Sequence, residues 1–298
     1  MIKVNKISLD FGEFPNAETL VKTGFLDRVA TDEQGYISIE FRFKDDKSLM
    51  RLYFILNHLR QFYPKFKLYI YYMPYSRMDR SQNGSCFTLK YVSEMLNTVL
   101  CLEDKVYIME PHSDVTLQLL NNSERINVIT PLMKHILKLN PEIDMICYPD
   151  KGAKARFQDD NVELPVVFCN KVRDFDTGEI VGLELDGDTN VDGKNILILD
   201  DLCSKGGTFY HTSNKLKQNG AKDVYLGVCH MEATVKYGDI YAEHKNWDEE
   251  KVSSIKHIYC LNTMVNDIEA YWLQNHSTNL TMYDTEVFLS KNKFKEVE

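Results

Sequence analysis

The chain of 298 residues lacks any apolar run approaching the roughly 20 residues that span a bilayer, which excludes a helical membrane protein. Its opening stretch, MIKVNKISLDFGEF, has no hydrophobic core of a secretory signal. Seven cysteines, at 86, 101, 147, 169, 203, 229 and 260, form no CxxC pair, and the spacing of a zinc site is missing. The odd count, with Cys147 and Cys169 inside apolar runs, points to buried free thiols in a reducing compartment. Positive charge is also short: 35 Lys and Arg against 44 Asp and Glu leave a net charge of −9. That balance argues against broad nucleic-acid binding, and it requires any anionic ligand to find a locally basic site. There is no short repeat and no low-complexity segment. These absences together lead us to expect a soluble cytoplasmic protein without nucleic-acid or membrane partners.

What is present is enough apolar material, 44% of the chain, for two cores of ordinary size. Short β-rich runs at 67–73, 104–110, 143–149, 165–170, 195–201, 223–230 and 255–261 alternate with amphipathic stretches at 48–62, 87–100, 131–139 and 207–220. Apolar strands with helices between them predict an α/β fold with parallel sheets covered on both faces. In such sheets ligands bind past the C-terminal ends of the strands. PEID, at 141–144, is the expected join, giving domains 1–141 and 142–298. The segment 174–193, rich in Gly, Asp and Thr, reads as a hairpin or mobile loop, and the tail SKNKFKEVE as frayed.

Two look-alikes can be set aside. GDTNVDGKN separates its glycines by one residue too many for a P-loop, and Asn195 stands where Ser or Thr belongs. DGDTNVDG has Val191 and Leu197 where a calcium loop needs Gly and Glu.

The stretch ILILDDLCSKGGTF, Ile196 to Phe209, carries the chemistry. An apolar strand ends on two carboxylates, and a glycine turn then opens a helix. Glycines let backbone N–H groups approach an anion, and a helix start favours negative charge. Asp200 and Asp201 cannot bind that anion. They suit the hydroxyls of a ribose, or a metal ion. The pattern reads as a site for a ribose 5-phosphate unit, or else as an ordinary strand-turn-helix with Asp near the helix start.

The stretch resembles the ribose 5-phosphate loop of the phosphoribosyltransferase fold, DDxxDTGGT. Five more segments, in the same order along the chain, resemble those of the ribose-phosphate pyrophosphokinases, also called PRPP synthetases. EFPNAE (13–18) is similar to the adenine motif F-x-D-x-E, YYMPYSRMDRS (71–81) to the ATP segment PYARQDR, and MEPHSDV (109–115) to the D-x-H metal segment. CYPDKGAKAR (147–156) is similar to SPDxGG, and CNKVRDFDTGEIVG (169–182) to the catalytic loop built on Lys-x-Arg. The resemblance implies two phosphoribosyltransferase-like domains with mainly parallel sheets. It implies an enzyme that moves the β,γ-diphosphoryl group of ATP onto the C1 hydroxyl of a ribose phosphate and releases AMP.

The roles that follow are those the resemblance implies. His112 and Asp150 ligate Mg²⁺ on the ATP phosphates, with Glu110 in place of the family's usual Asp. Lys171 and Arg173 are the catalytic pair, neutralising charge on the transferring group. Arg77 holds ATP phosphates with Asp79 and Arg80 nearby. Phe14 stacks on adenine while Asn16 and Glu18 read its edge, contributed by a neighbouring subunit of a homo-oligomer. Asp200 and Asp201 bind the ribose hydroxyls, and Ser204, Lys205, Gly206, Gly207 and Thr208 cradle the 5-phosphate. The loop departs from the family at Ser204-Lys205, where Asp-Thr is usual. It is more positive by about two charges, which suits an acceptor with a second phosphate. ADP-ribose is such an acceptor, and some PRPP-synthetase relatives use it to make ADP-ribose pyrophosphate in NAD salvage. The other readings are ribose 5-phosphate with Lys205 in solvent, a base-using phosphoribosyltransferase, and a non-catalytic regulatory relative.

Overall fold

Asp45 and Ser48 cap each other's backbone reciprocally, and the helix they open buries Leu49, Leu52, Ile55, Leu56 and Leu59 at three- and four-residue spacing. That helix belongs to the first of two units, Met1–Asn127 and Val128–Glu298. The structure, a computed structural model, describes residues 1–82, 84–158, 162–173, 180–188, 190–241, 244–245, 249–250 and 254–291. No helix among them is long and apolar enough to cross a membrane.

In the first unit β1 (Ile2–Val4) and β2 (Ile7–Ser8) form an antiparallel edge, and β3 (Phe11–Glu13) pairs with β4 (Thr19–Val21) as a separate hairpin. There follow β5 (Tyr36–Phe41), α1 (Asp46–Arg60), β6 (Lys65–Ile70), α2 (Thr88–Asn97), β7 (Lys105–Met109), α3 (Val115–Leu119) and β8 (Ser123–Ile126). The sheet runs β2-β1-β5-β6-β7-β8, with β5 to β8 parallel. Its core gathers Ile37, Ile39 and Phe41 from β5 and Phe66, Leu68 and Ile70 from β6.

The second unit contains α4 (Ile129–Leu139), β9 (Met145–Tyr148), α5 (Lys151–Phe157), β10 (Val166–Arg173), β11 (Ile180–Gly187), β12 (Asn195–Cys203), α6 (Gly207–Gln218) and β13 (Asp223–Met231). A 3₁₀ turn at Ala233–Tyr237 leads to a two-residue pair, β14 (His244–Lys245) and β15 (Glu249–Glu250), then β16 (His257–Leu261), α7 (Asp267–Asn275), β17 (Leu280–Tyr283) and α8 (Thr285–Lys291). The sheet runs β11-β10-β9-β12-β13-β16-β17, parallel except for β11 at its edge. The α/β class with two mainly parallel sheets is therefore as expected.

The units meet at Asn127 and Val128, earlier in the chain than PEID, because α4 packs into the second unit. Ile136 of α4 sits directly over Gly227 of β13, where a Cβ would lie 2.8 Å from its side chain. Of the segment 174–193, read as a hairpin or mobile loop, 180–187 form β11, which pairs antiparallel with β10, while 174–179 and 292–298 lie outside the described residues.

Candidate active site

In the second unit β9, β10 and β12 lie side by side, so the segments after them converge at one end of the sheet. β12 delivers the acidic pair. Asp201 is 2% exposed, and its backbone N–H donates to Asp200 Oδ1 at 2.9 Å. Burial pushes the Asp200 carboxyl well above the usual carboxylate range, and the neighbouring Asp201 pushes it further. Opposing them is Arg156 of α5, whose Nη2 lies 3.3 Å from Asp201 Oδ1 and 3.7 Å from Asp200 Oδ1. No sequence motif singles out Arg156. Its signal lay in CYPDKGAKAR: Asp150 starts a helix, and Arg156 follows near its end on a face packed against β12.

Asp150 is the N-cap of α5, and its Oδ1 accepts the Ala153 N–H at 2.9 Å. The cap fixes the orientation of the carboxylate. Lys171 and Arg173 end β10, pairing with Leu183 and Ile180 of β11. Their side chains lie outside what is described.

The loop from Ser204 to Gly207 is tightly braced. Gly206 has φ +82°, a left-handed conformation, and a Cβ there would strike Ile240 at 2.4 Å. Gly238 presses on the Lys205 carbonyl, where a Cβ would sit 1.7 Å from the oxygen. α6 then begins without a side-chain cap, so no cap residue satisfies its first-turn N–H groups, the arrangement an anion can use. Lys205, Gly207 and Thr208 are exposed, and Ser204 is half-buried. The five loop residues thus lie together beside Asp200 and Asp201.

The first unit holds the segments expected to bind ATP. β6 and β7 are adjacent parallel strands, so the turns after them lie together. Asp79, 8% exposed, takes two bonds from Arg80 at 2.8 and 3.2 Å. Arg80 holds the Asp79 carboxyl below its usual range, with Ser113 and His112 adding to it. Asp79 and His112, distant in sequence, therefore share one locality. Glu110, buried, has φ +36°, a strained conformation for a non-glycine residue at the end of β7. Arg77 is exposed. At the tip of the β3–β4 hairpin, Phe14 is 48% exposed, its N–H donates to Glu18 O at 2.9 Å, and Asn16 Oδ1 accepts the Glu18 N–H at 3.3 Å. The three candidate adenine residues thus share one exposed turn. His112 and Asp150 belong to different units. Among the described residues no three His, Cys, Asp or Glu are grouped to hold a metal ion.

No family model matches the chain. It is 27% identical over 224 residues to the ribose-phosphate pyrophosphokinase of Saccharolobus solfataricus, covering 73% of this chain and 74% of that one. To the enzyme of the same name from Pyrococcus furiosus it is 28% identical over 231 residues, 75% and 77% of the two chains. Among solved structures, a phosphoribosylpyrophosphate synthetase from Mycobacterium smegmatis superposes with a TM-score of 0.71 at 17% identity. The match covers 96% of this chain and 88% of that one.

Proposed function

Because the chain belongs to the ribose-phosphate pyrophosphokinase family, and is a diphosphotransferase of that type, we propose that it transfers the β,γ-diphosphoryl group of Mg-ATP to the C1 hydroxyl of a ribose 5-phosphate moiety. The observation that carries this reading is the Asp200-Asp201 pair, countered by Arg156 and followed by the left-handed turn at Gly206 that opens α6. A ribose fits there with hydroxyls on carboxylates and its 5-phosphate on backbone N–H groups.

The acceptor's C1 oxygen forms a bond to the β-phosphorus, the bond from that phosphorus to the oxygen bridging to the α-phosphate breaks, AMP leaves, and the hydroxyl proton passes to solvent. The nucleophile belongs to the substrate, so the protein positions and neutralises. Lys171 and Arg173 neutralise charge on the moving group. Arg77 holds phosphates, and the Phe14 turn holds adenine in a neighbouring copy's site. Mg²⁺, when bound, offsets charge on the ATP phosphates. His112 in the first unit and Asp150 in the second, its carboxylate oriented by the Ala153 N–H, would each offer one ligand to it.

As acceptor we propose ADP-ribose. What supports it is the exposed Lys205 in the phosphate loop, a cation where the family has a hydroxyl, beside Ser204 where the family has a carboxylate. The test is AMP release from ATP and Mg²⁺ with ADP-ribose and ribose 5-phosphate in parallel, with product masses. Turnover with ADP-ribose alone supports the reading. Turnover with ribose 5-phosphate alone overturns the acceptor but not the reaction, and AMP from neither overturns both.

A further inference from the structure

The 3₁₀ turn Ala233–Tyr237 is fastened to the acceptor loop at two points. The Glu232 N–H donates to the Cys203 carbonyl at 2.9 Å, and Gly238 lies against the Lys205 carbonyl. Tyr237, next to Gly238, is 71% exposed. Lys236 Nζ lies 5.0 Å from the centre of the Tyr237 ring and 4.9 Å from that of Trp272 on α7. Trp272 is 37% exposed, and His276 stacks on it at 4.3 Å and 17°. Among the described residues Lys236 has no carboxylate partner. Two exposed aromatic rings thus flank a cation, on a turn anchored to the loop that would hold the 5-phosphate. Neither ring belongs to the core cluster of the second unit, and exposed apolar surface gathered in one place, unlike scattered single residues, marks an interaction site.

We propose that Lys236, Tyr237 and Trp272 form a second acceptor subsite, which holds a phosphate and a planar base carried beyond the acceptor's 5-phosphate. The inference rests on the acceptor reading above and adds the residues that would discriminate a nucleoside diphosphate-linked ribose from ribose 5-phosphate. Lys236, with Lys205, meets the outer phosphate; Tyr237 and Trp272 offer ring faces to the base. Aromatic faces suit any base, because every base has a π-face, while the lysines demand the anion.

The experiment measures kcat/KM with both acceptors for the native chain and for Tyr237→Ala, Trp272→Ala and Lys236→Ala, none of which touches the reacting atoms. Each variant should lose about ten-fold with ADP-ribose, through KM, and nothing with ribose 5-phosphate. A second readout needs no turnover. In a Trp247→Phe background, ADP-ribose should quench the remaining tryptophan, Trp272, and ribose 5-phosphate should not. Equal losses with both acceptors, or a changed assembly size in Trp272→Ala, would make these residues structural or a contact between copies and overturn the subsite. Unchanged kinetics in all three variants would overturn it too. So would a native chain that uses ribose 5-phosphate while ADP-ribose neither reacts nor quenches, which leaves diphosphoryl transfer standing. Quenching by ADP-ribose that Tyr237→Ala abolishes, without AMP release from either acceptor, upholds the subsite and overturns the reaction instead.

Discussion

Asp200 holds its proton where an ordinary aspartate would have lost it, because burial and the neighbouring Asp201 both oppose a second negative charge. An acid whose pKa is raised by folding costs stability. The cost appears as pH rises through the unfolded value near 3.8, and it is complete once pH passes the folded value. Asp200→Asn should therefore raise the melting temperature by a few degrees at pH 7, with the gain shrinking to nothing toward pH 4, while turnover falls. A melting series across that range checks the sign, and a gain that persists at low pH would refute the cause. Arg156 is the counterpart. Arg156→Ala should raise the acceptor KM about ten-fold and cost about 1–3 kcal/mol, since it leaves the buried Asp201 carboxylate without its cation. Arg156→Lys should recover part of the stability but less of the affinity, because a point charge replaces a planar fork. The sequence showed the carboxylates but not this partner: an arginine on a short helix carries no mark of which strand it faces until α5 is packed on β12.

Among elements, the proposed acceptor loop is braced by a segment that carries no motif of its own. Gly206 carries the left-handed turn, and that was legible in a glycine pair before a helix. Gly238 was not, since its requirement comes from the Lys205 carbonyl pressed against it across more than thirty residues of chain. Gly238→Ala should push the loop outward and raise the acceptor KM about ten-fold or more, leaving ATP affinity unchanged. Titration of ATP and acceptor separately checks it, and equal damage to both would show a global effect instead. The same contrast explains which strands could be read. β12 and β13 are continuous apolar runs with unmistakable ends. β5, with the alternation Tyr-Ile-Ser-Ile-Glu-Phe, sits within its sheet although it looks half-polar, because Glu40 is buried with Tyr71 donating to it at 2.9 Å. That compensation depends on a contact outside the strand, so a local pattern does not reveal it.

For the whole molecule, the order of segments along the chain was legible, and so was the existence of two sheets; the position of the join was not. PEID looks like a linker by composition, yet α4 before it is committed to the second unit by Ile136 against Gly227, a fit visible only in three dimensions. The exposed turn of Phe14, Asn16 and Glu18 is proposed to hold adenine, and a test can decide whether that adenine lies in its own chain's site or a neighbour's. Phe14 is outside the core cluster of its own unit, and the proposed function gives it a role in a neighbouring copy. Phe14→Ala and Lys171→Ala should each be nearly inactive alone, the first through ATP affinity and the second through kcat, by about a hundred-fold or more. If the turn serves the neighbour's site, co-expressing the two variants restores activity. A site built from the Lys171 of one chain and the Phe14 of the other is then intact, and random pairing makes about a quarter of all sites so. If each chain instead uses its own turn, every site carries one defect and mixing restores nothing. The recovered fraction therefore decides between a shared and a self-contained adenine site, independently of which acceptor the enzyme takes.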